Sequence, residues 1–260
     1  MFAGARLSFL IKDLQMSMAT TAKALLPIER WKHRAFYTGM SVAVIATVYY
    51  GFARSYFLRG HYFATPLAPI AKLHGAVFMA WTLLFLVQTV LIARRRRDIH
   101  RRLGMAGAIL AGAMVIVGTT IAIISMRHNF ANGNEKALSF FAIPIGDMVV
   151  FPILVGAGVG WRRDTETHKR LMLLATISIL DAAVARWPLA IMSNGAVAYF
   201  GITDLYILAG VAFDLASRRS VHSTYLWGGL LIVGSQIGRL AVSHTAAWLA
   251  FARILASSSP

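Results

Sequence analysis

Cysteine is absent and acids are scarce, and each lack removes a class of protein. Without a thiol there can be no disulfide, thiolate metal site or cysteine nucleophile, although the lack says little about compartment. Asp and Glu together number 10 against 26 Lys and Arg, a formal net charge of +16. Charged residues make up 14% of the chain and hydrophobic ones 58%, with a mean hydropathy of +0.64. That balance excludes the one or two soluble domains that 260 residues would otherwise allow. In a soluble protein so basic a charge would point to nucleic acid. Here the cations lie in short tracts between apolar runs, where they set topology and meet anionic lipid headgroups, so the bilayer is the expected partner and nucleic acid is not.

The apolar runs predict an all-α, polytopic membrane protein of seven transmembrane helices, at 36–53, 73–93, 103–126, 138–160, 171–192, 198–216 and 226–251. They form one domain over 36–253. With the N-terminus inside, every basic tract (28–34, 94–102, 161–170 and 217–219) falls on the inner side. Residues 1–35 are expected to form an amphipathic interfacial segment ending in the Trp-bearing collar IERWKHR. Arg6, Lys12 and Asp13 interrupt its apolar stretch, so no cleavable signal is expected, and Met1, Met16 or Met18 stands as the start. Residues 254–260 read as a short outer tail. Pro144, Gly146 and Pro152 predict a kinked fourth helix.

One unit is used twice. RRRRDIHRRLG at 94–104 returns as RRDTETHKRLM at 162–172, and aligning His100 with His168 sets a spacing of 68 residues. A helical hairpin, helices 2–3 and then 4–5, is therefore repeated, with a histidine where each basic turn re-enters an apolar phase. Neutral imidazoles from facing helices at equal depth are the usual axial ligands of b-type haem. His100 and His168 meet that requirement through the repeat, and Arg101, Arg102, Lys169 and Arg170 could hold the propionates. The alternative is that both belong to a topogenic, lipid-facing collar. His74 and His244 lie in the outer half, read as better buried, and form a second candidate pair.

Ionised groups at the bilayer centre cost several kcal/mol unless paired, protonated or hydrated. Asp147 and Asp181 fall near the middle of helices 4 and 5, Arg239 near the centre of helix 7, and Arg186 and Asp204 nearer the outer face. These five residues are expected to form a buried polar network. Arg186 is its expected pivot, pairing with Asp147 or Asp204. Two readings are open: ion pairs that lock helices 4 to 7 together, or a ligand, metal or proton site opening outward. His74, Asp147 and Asp204 are suitable types for a hard or borderline metal, but no HExxH-like spacing accompanies them and no metal site is expected.

HRRLG at 100–104 and HKRLM at 168–172, with Arg186 deep in the following helix, resemble the HRxLG and HRxWM helix openings of a broad group of uncharacterised bacterial multi-pass inner-membrane proteins. That similarity spans helices 2 to 5, and the ending YLWGGLLIVGSQIGRLAVSHTAAWLAFA is similar to proteobacterial inner-membrane proteins. The resemblance implies a fold and a location in the bacterial inner membrane, without an activity. By helix number and histidine placement the chain is loosely similar to transmembrane haem-b cytochromes of the ascorbate-linked and ferric-reductase kinds. Haem-b electron transfer is accordingly the leading expectation. A small-molecule or proton-coupled carrier using the Asp/Arg/His site is the second. An accessory subunit of a larger membrane complex, or a homo-oligomer, is the third. No substrate or reaction is legible.

Overall fold

The computed structural model describes residues 31–257. The interfacial segment expected before residue 31, the choice among Met1, Met16 and Met18, and residues 258–260 lie outside that range. All regular structure among the described residues is helical. Six helices are long and apolar enough to cross a membrane. They are α1 (Trp31–Phe57), α2 (Pro69–Ala93), α3 (Arg97–Ala131), α4 (Lys136–Gly160), α7 (Ala196–Arg218) and α8 (Ser223–Ser243). Between α4 and α7 lie two shorter helices, α5 (Thr165–Ile177) and α6 (Asp181–Val184), and α8 is followed by α9 (Ala246–Ser257). The chain is thus a multi-pass helical membrane protein by length and composition of its elements. Ile109, Ile116, Leu230 and Ile254 are 70% exposed or more, as befits an exterior solvated by lipid.

The helix ends follow from local chemistry. Pro69 starts α2 at its first turn, where the missing N–H is no loss. The end of α2 is a Schellman-type turn: Arg95 N–H donates to Ile92 O (3.1 Å) and Arg96 N–H to Leu91 O (2.8 Å). Arg95 occupies the left-handed position of that turn, at φ 60°. Glycine is the usual residue there, and an L side chain costs about 1 kcal/mol or more. Asp164 caps α5, its carboxylate accepting from the N–H groups of Glu166 (3.0 Å) and Thr167 (3.3 Å).

Only 94–96 form the turn between α2 and α3, so Arg97, His100, Arg101 and Arg102 are helical, and the helix begins at Arg97 where apolarity alone predicts 103. His100 and His168 consequently hold the same place, the fourth residue of α3 and of α5. At this basic end of the bundle Arg34 Nη1 donates to Ala93 O at 3.4 Å, and Arg218 pairs with Glu166.

The expected continuous helix at 171–192 is broken. α5 runs only to Ile177, the Ser178 hydroxyl donates back to Ala175 O (2.9 Å), and Asp181 restarts the chain by accepting the Ala182 N–H (2.7 Å). After α6 the chain unwinds through Pro188 into a 3-10 turn, Ala190–Asn194. α5 is the centre of the bundle: Leu171, Leu173, Leu174, Ala175 and Ile177 have no measurable exposure. It packs on α4, α7 and α8. Gly51 lets α1 pass close to α6, since a Cβ there would collide with the Ala183 carbonyl. Because Arg170 and Glu166 are tied to Asp214 and Arg218 at the end of α7, the segment 165–195 returns to the start of α7 and covers the length of that helix.

The expected run 226–251 is also interrupted. α8 ends at Ser243, His244 and Thr245 form a turn, and the Thr245 hydroxyl accepts the Trp248 N–H (3.3 Å) to begin α9. α9 lies against α3 and the first turn of α4, where Trp248 Nε1 donates to Leu138 O (2.9 Å). Residues 254–257 are therefore helical, where a tail is expected.

Candidate functional site: a buried triad beside the broken helix

Arg239 is the pivot of the buried polar network. It projects from α8 with 6% of its side chain exposed and reaches Asp147 of α4 at 2.5 Å. The same Nη1 donates to Ile143 O (3.1 Å), next to Pro144, while Nε donates to Ser235 Oγ (3.0 Å), one helical turn earlier on α8. The Phe200 ring lies 5.7 Å from its Cζ. Room for the guanidinium comes from Gly146, where a Cβ would collide with the Arg239 side chain. Asp181, at the head of α6, is the third member, with Oδ2 3.8 Å from Arg239 Nη1. That oxygen is buried and has no hydrogen-bond partner among the described residues, while Oδ1 is held by the Ala182 N–H. The triad sets two carboxylates against one guanidinium at ion-pair distance, so its full ionisation leaves an excess negative charge that a proton, a bound cation or the more distant charge of Arg186 would balance.

Two expected members stand apart. Arg186 is not the pivot: its side chain is exposed, donates to Ala182 O and lies over the Phe52 ring at 4.6 Å, and no carboxylate among the described residues lies within ion-pair distance of it. The break at 178–180 rotates residue 186 away from the phase that a continuous helix would give it. Asp204, half-buried on α7, accepts instead from Gln236 Nε2 (3.0 Å), and neither Asp147 nor Arg186 contacts it.

A second buried ion cluster closes the basic end. Arg170, fully buried on α5, donates through Nε to Asp214 Oδ2 (2.9 Å) and through Nη2 to Asp214 Oδ1. Its Nη1 donates to Glu166 O and Oε2, both at 2.8 Å. Glu166 also accepts from Lys169 (2.7 Å) and from Arg218 (2.7 Å). Burial by itself would raise the Glu166 carboxyl, but hydrogen bonds from Lys169 and Arg170, with their charges, outweigh it and bring it down to about 2. Lys169 and Arg170 are therefore committed to carboxylates and are not free for propionates, contrary to expectation. Arg170 and Asp214 are the residues that the sequence hides. Their only signal is an acid, Asp214, at the inner end of an apolar run.

The repeated histidines do meet. The rings of His100 and His168 are 6.2 Å apart, centre to centre, with planes at 88°. His168 Nδ1 bonds Gly158 O at 2.7 Å, which directs Nε2 away from that carbonyl. His100 Nδ1 is buried without a hydrogen-bond partner among the described residues. Gln88 donates through Nε2 to His100 O (3.1 Å), and its own Oε1 is likewise buried and unpartnered among the described residues. The outer histidines form no such pair. His74 lies against Phe78, ring centres 4.1 Å apart and planes tilted by 34°, and His244, in the turn between α8 and α9, is exposed where burial is expected. Among the described residues no group of three or more His, Asp or Glu side chains could hold a metal ion.

Set beside known protein families, curated proteins and solved structures, the chain matches none.

Proposed function

We propose that the chain is a proton-coupled small-molecule carrier whose exchange site is Asp147, Asp181 and Arg239. The observation that carries this reading is the unpartnered Oδ2 of Asp181, buried at the break of the central helix beside a second carboxylate and a single guanidinium. Irregular backbone at membrane depth persists only where protein or a cavity covers it, and broken helices are where carriers bind substrates and coupling ions. A proton shared between the two carboxylates balances the charge and can be released when Arg239 shifts from one to the other. The broken segment from α5 through the 3-10 turn then counts as the seventh pass, supported by its return along the whole length of α7. Seven passes place the two termini on opposite sides, with the N-terminus and the basic end inside the cytoplasmic membrane of a bacterium.

The test is proton movement in proteoliposomes carrying a pH dye, filled with mixtures of amino acids, sugars or organic acids and placed in a pH gradient. One mixture should speed the collapse of the gradient, and Asp181→Asn and Asp147→Asn should remove that acceleration. Rates equal to those of protein-free vesicles with every mixture would overturn the proposal.

A second reading, haem-b electron transfer across the bilayer, is favoured by His100 and His168. Two imidazoles bonded to one metal at about 2 Å each place their ring centres about 6 Å apart, which the 6.2 Å separation fits. The orphaned Nδ1 of His100 and the oriented ring of His168 fit a ligand pair as well. His100 and His168 would be the axial ligands, and Arg101 and Arg102, both exposed, would remain for the propionates. Haem bound there would supply a one-electron couple. Protein purified from haem-sufficient cells should then show a reduced-minus-oxidised absorption band that either histidine substitution abolishes, and a colourless preparation rejects this reading.

A further inference from the structure

A cleft of about 370 Å³ opens at the basic end, lined by Arg34, Ile92, Arg95 and Arg97. Three of its four lining residues are guanidiniums, and no acidic side chain lines it among the described residues. The acid nearest in sequence, Asp98, is engaged by Arg96 at 3.4 Å. Arg34 is fixed at one wall by its bond to Ala93 O, while Arg95 and Arg97 have no ion-pair partner among the described residues. The position of Arg95 is informative. It stands at φ 60° in the turn position that favours glycine, so the turn itself directs its guanidinium into the cleft and a glycine there would relax the backbone. Ile92, exposed and apolar, ends the wall on the side of the transmembrane run of α2.

We infer that this cleft binds a phosphate ester, supplied by the headgroup of an anionic membrane lipid. Guanidiniums recognise phosphate oxygens through paired N–H donors, and three of them around one cleft offer more donors than a carboxylate can accept and suit the tetrahedral oxygens of a phosphate group. The cleft lies level with the end of a membrane-spanning helix, where headgroups are, and its apolar wall suits the glycerol and first acyl carbons. The cleft shares no residue with the Asp147–Asp181–Arg239 triad and does not depend on it.

The experiment uses the full chain in detergent and compares lipid binding, by native mass spectrometry and by the rise in thermal midpoint, for phosphatidylglycerol and phosphatidylcholine of matched acyl chains. Phosphatidylglycerol should bind the wild type and phosphatidylcholine should not. Arg95→Gly removes one guanidinium and relieves the turn, so the lipid-free protein should be at least as stable as wild type while its affinity for phosphatidylglycerol falls about tenfold or more. The matched control is Arg219→Gly, which changes the same charge at the other left-handed arginine, φ 56° after α7, and should keep the affinity. Inorganic phosphate is the second arm: if it competes at millimolar concentration in the wild type and not in Arg95→Gly, the phosphate site stands and its source is soluble. Equal losses in the two glycine variants, or an undiminished affinity in Arg95→Gly, would show general attraction between a basic protein and an acidic lipid, and would overturn the site.

Discussion

At the scale of single residues, burial separates the charges that matter from those that decorate a boundary. Arg239 and Arg186 both lie within apolar runs, yet Arg239 is 6% exposed and faces two carboxylates, whereas Arg186 is exposed and faces a ring and a carbonyl. A buried ion pair adds little net stability because desolvation offsets its attraction, but removing one partner leaves the other stranded. Arg239→Ala should therefore destabilise the protein by about 3–5 kcal/mol. Adding Asp147→Asn to Arg239→Ala should recover part of that loss, because the stranded charge goes with it. Arg186→Ala should change stability by less than about 1 kcal/mol. Unfolding in a mild detergent, followed by circular dichroism, measures all three. Strictly additive losses at 239 and 147 would mean that the two side chains do not act as a pair. The sequence shows each member of the triad as an ionisable group inside an apolar run, but not which faces meet. A stretch as uniformly apolar as 171–192 carries little helical phase, and the break at 178–180 changes whatever phase it has.

At the scale of elements, the central segment is held from both ends by ions and in the middle by apolar contact. α5 joins α7 at the basic end through Arg170 and Asp214, and α6 joins α4 and α8 through Asp181 and Arg239. Glu166 extends the first of these ties to Lys169 and Arg218. Its carboxyl lies at about 2, below the ordinary value of about 4.3 for an unfolded chain. A lowered folded value means that its stabilisation is fully present above the unfolded value and is lost as pH falls towards 2. Wild type should lose stability between about pH 4.5 and 2, and Glu166→Gln should begin less stable at neutral pH and lose less across that window. Thermal midpoints across a pH series check this, with parallel curves as the contrary result. The side chain is 40% exposed, so solvent screening keeps the effect small. None of this cluster is legible beforehand, because Arg170 sits in a tract that reads as a topogenic collar. The repeat, in contrast, is legible: the same spacing that aligns His100 with His168 puts both in the first turn of a helix and their rings within contact range.

For the whole molecule, the question is how many times the chain crosses. Six helices have the length and apolarity to do so. The seventh crossing depends on a segment that no length criterion recognises, because α5 has 13 residues and α6 only 4. Its geometry nevertheless constrains the topology. Glu166 and Arg170 touch Arg218 and Asp214 at one end of α7, and the 3-10 turn leads into Ala196 at the other. A 23-residue helix rises about 34 Å, enough to span the hydrocarbon core of about 30 Å, so on the proposed seven-pass topology the segment joining its two ends crosses the same thickness. On that topology, reporter fusions at Gly133 and Asn194 should report the periplasm, and fusions at Arg97 and Arg219 the cytoplasm. The pair Asn194 and Arg219 tests α7 alone, whereas Arg97, Gly133 and Asn194 together test whether the broken segment crosses. α4 carries the chain back to the side of Arg97, and only a further crossing returns it to the side of Gly133. A cytoplasmic signal at Asn194 with a periplasmic one at Gly133 would mean that the broken helix dips in and returns, leaving six passes and removing the membrane-wide path that a carrier needs.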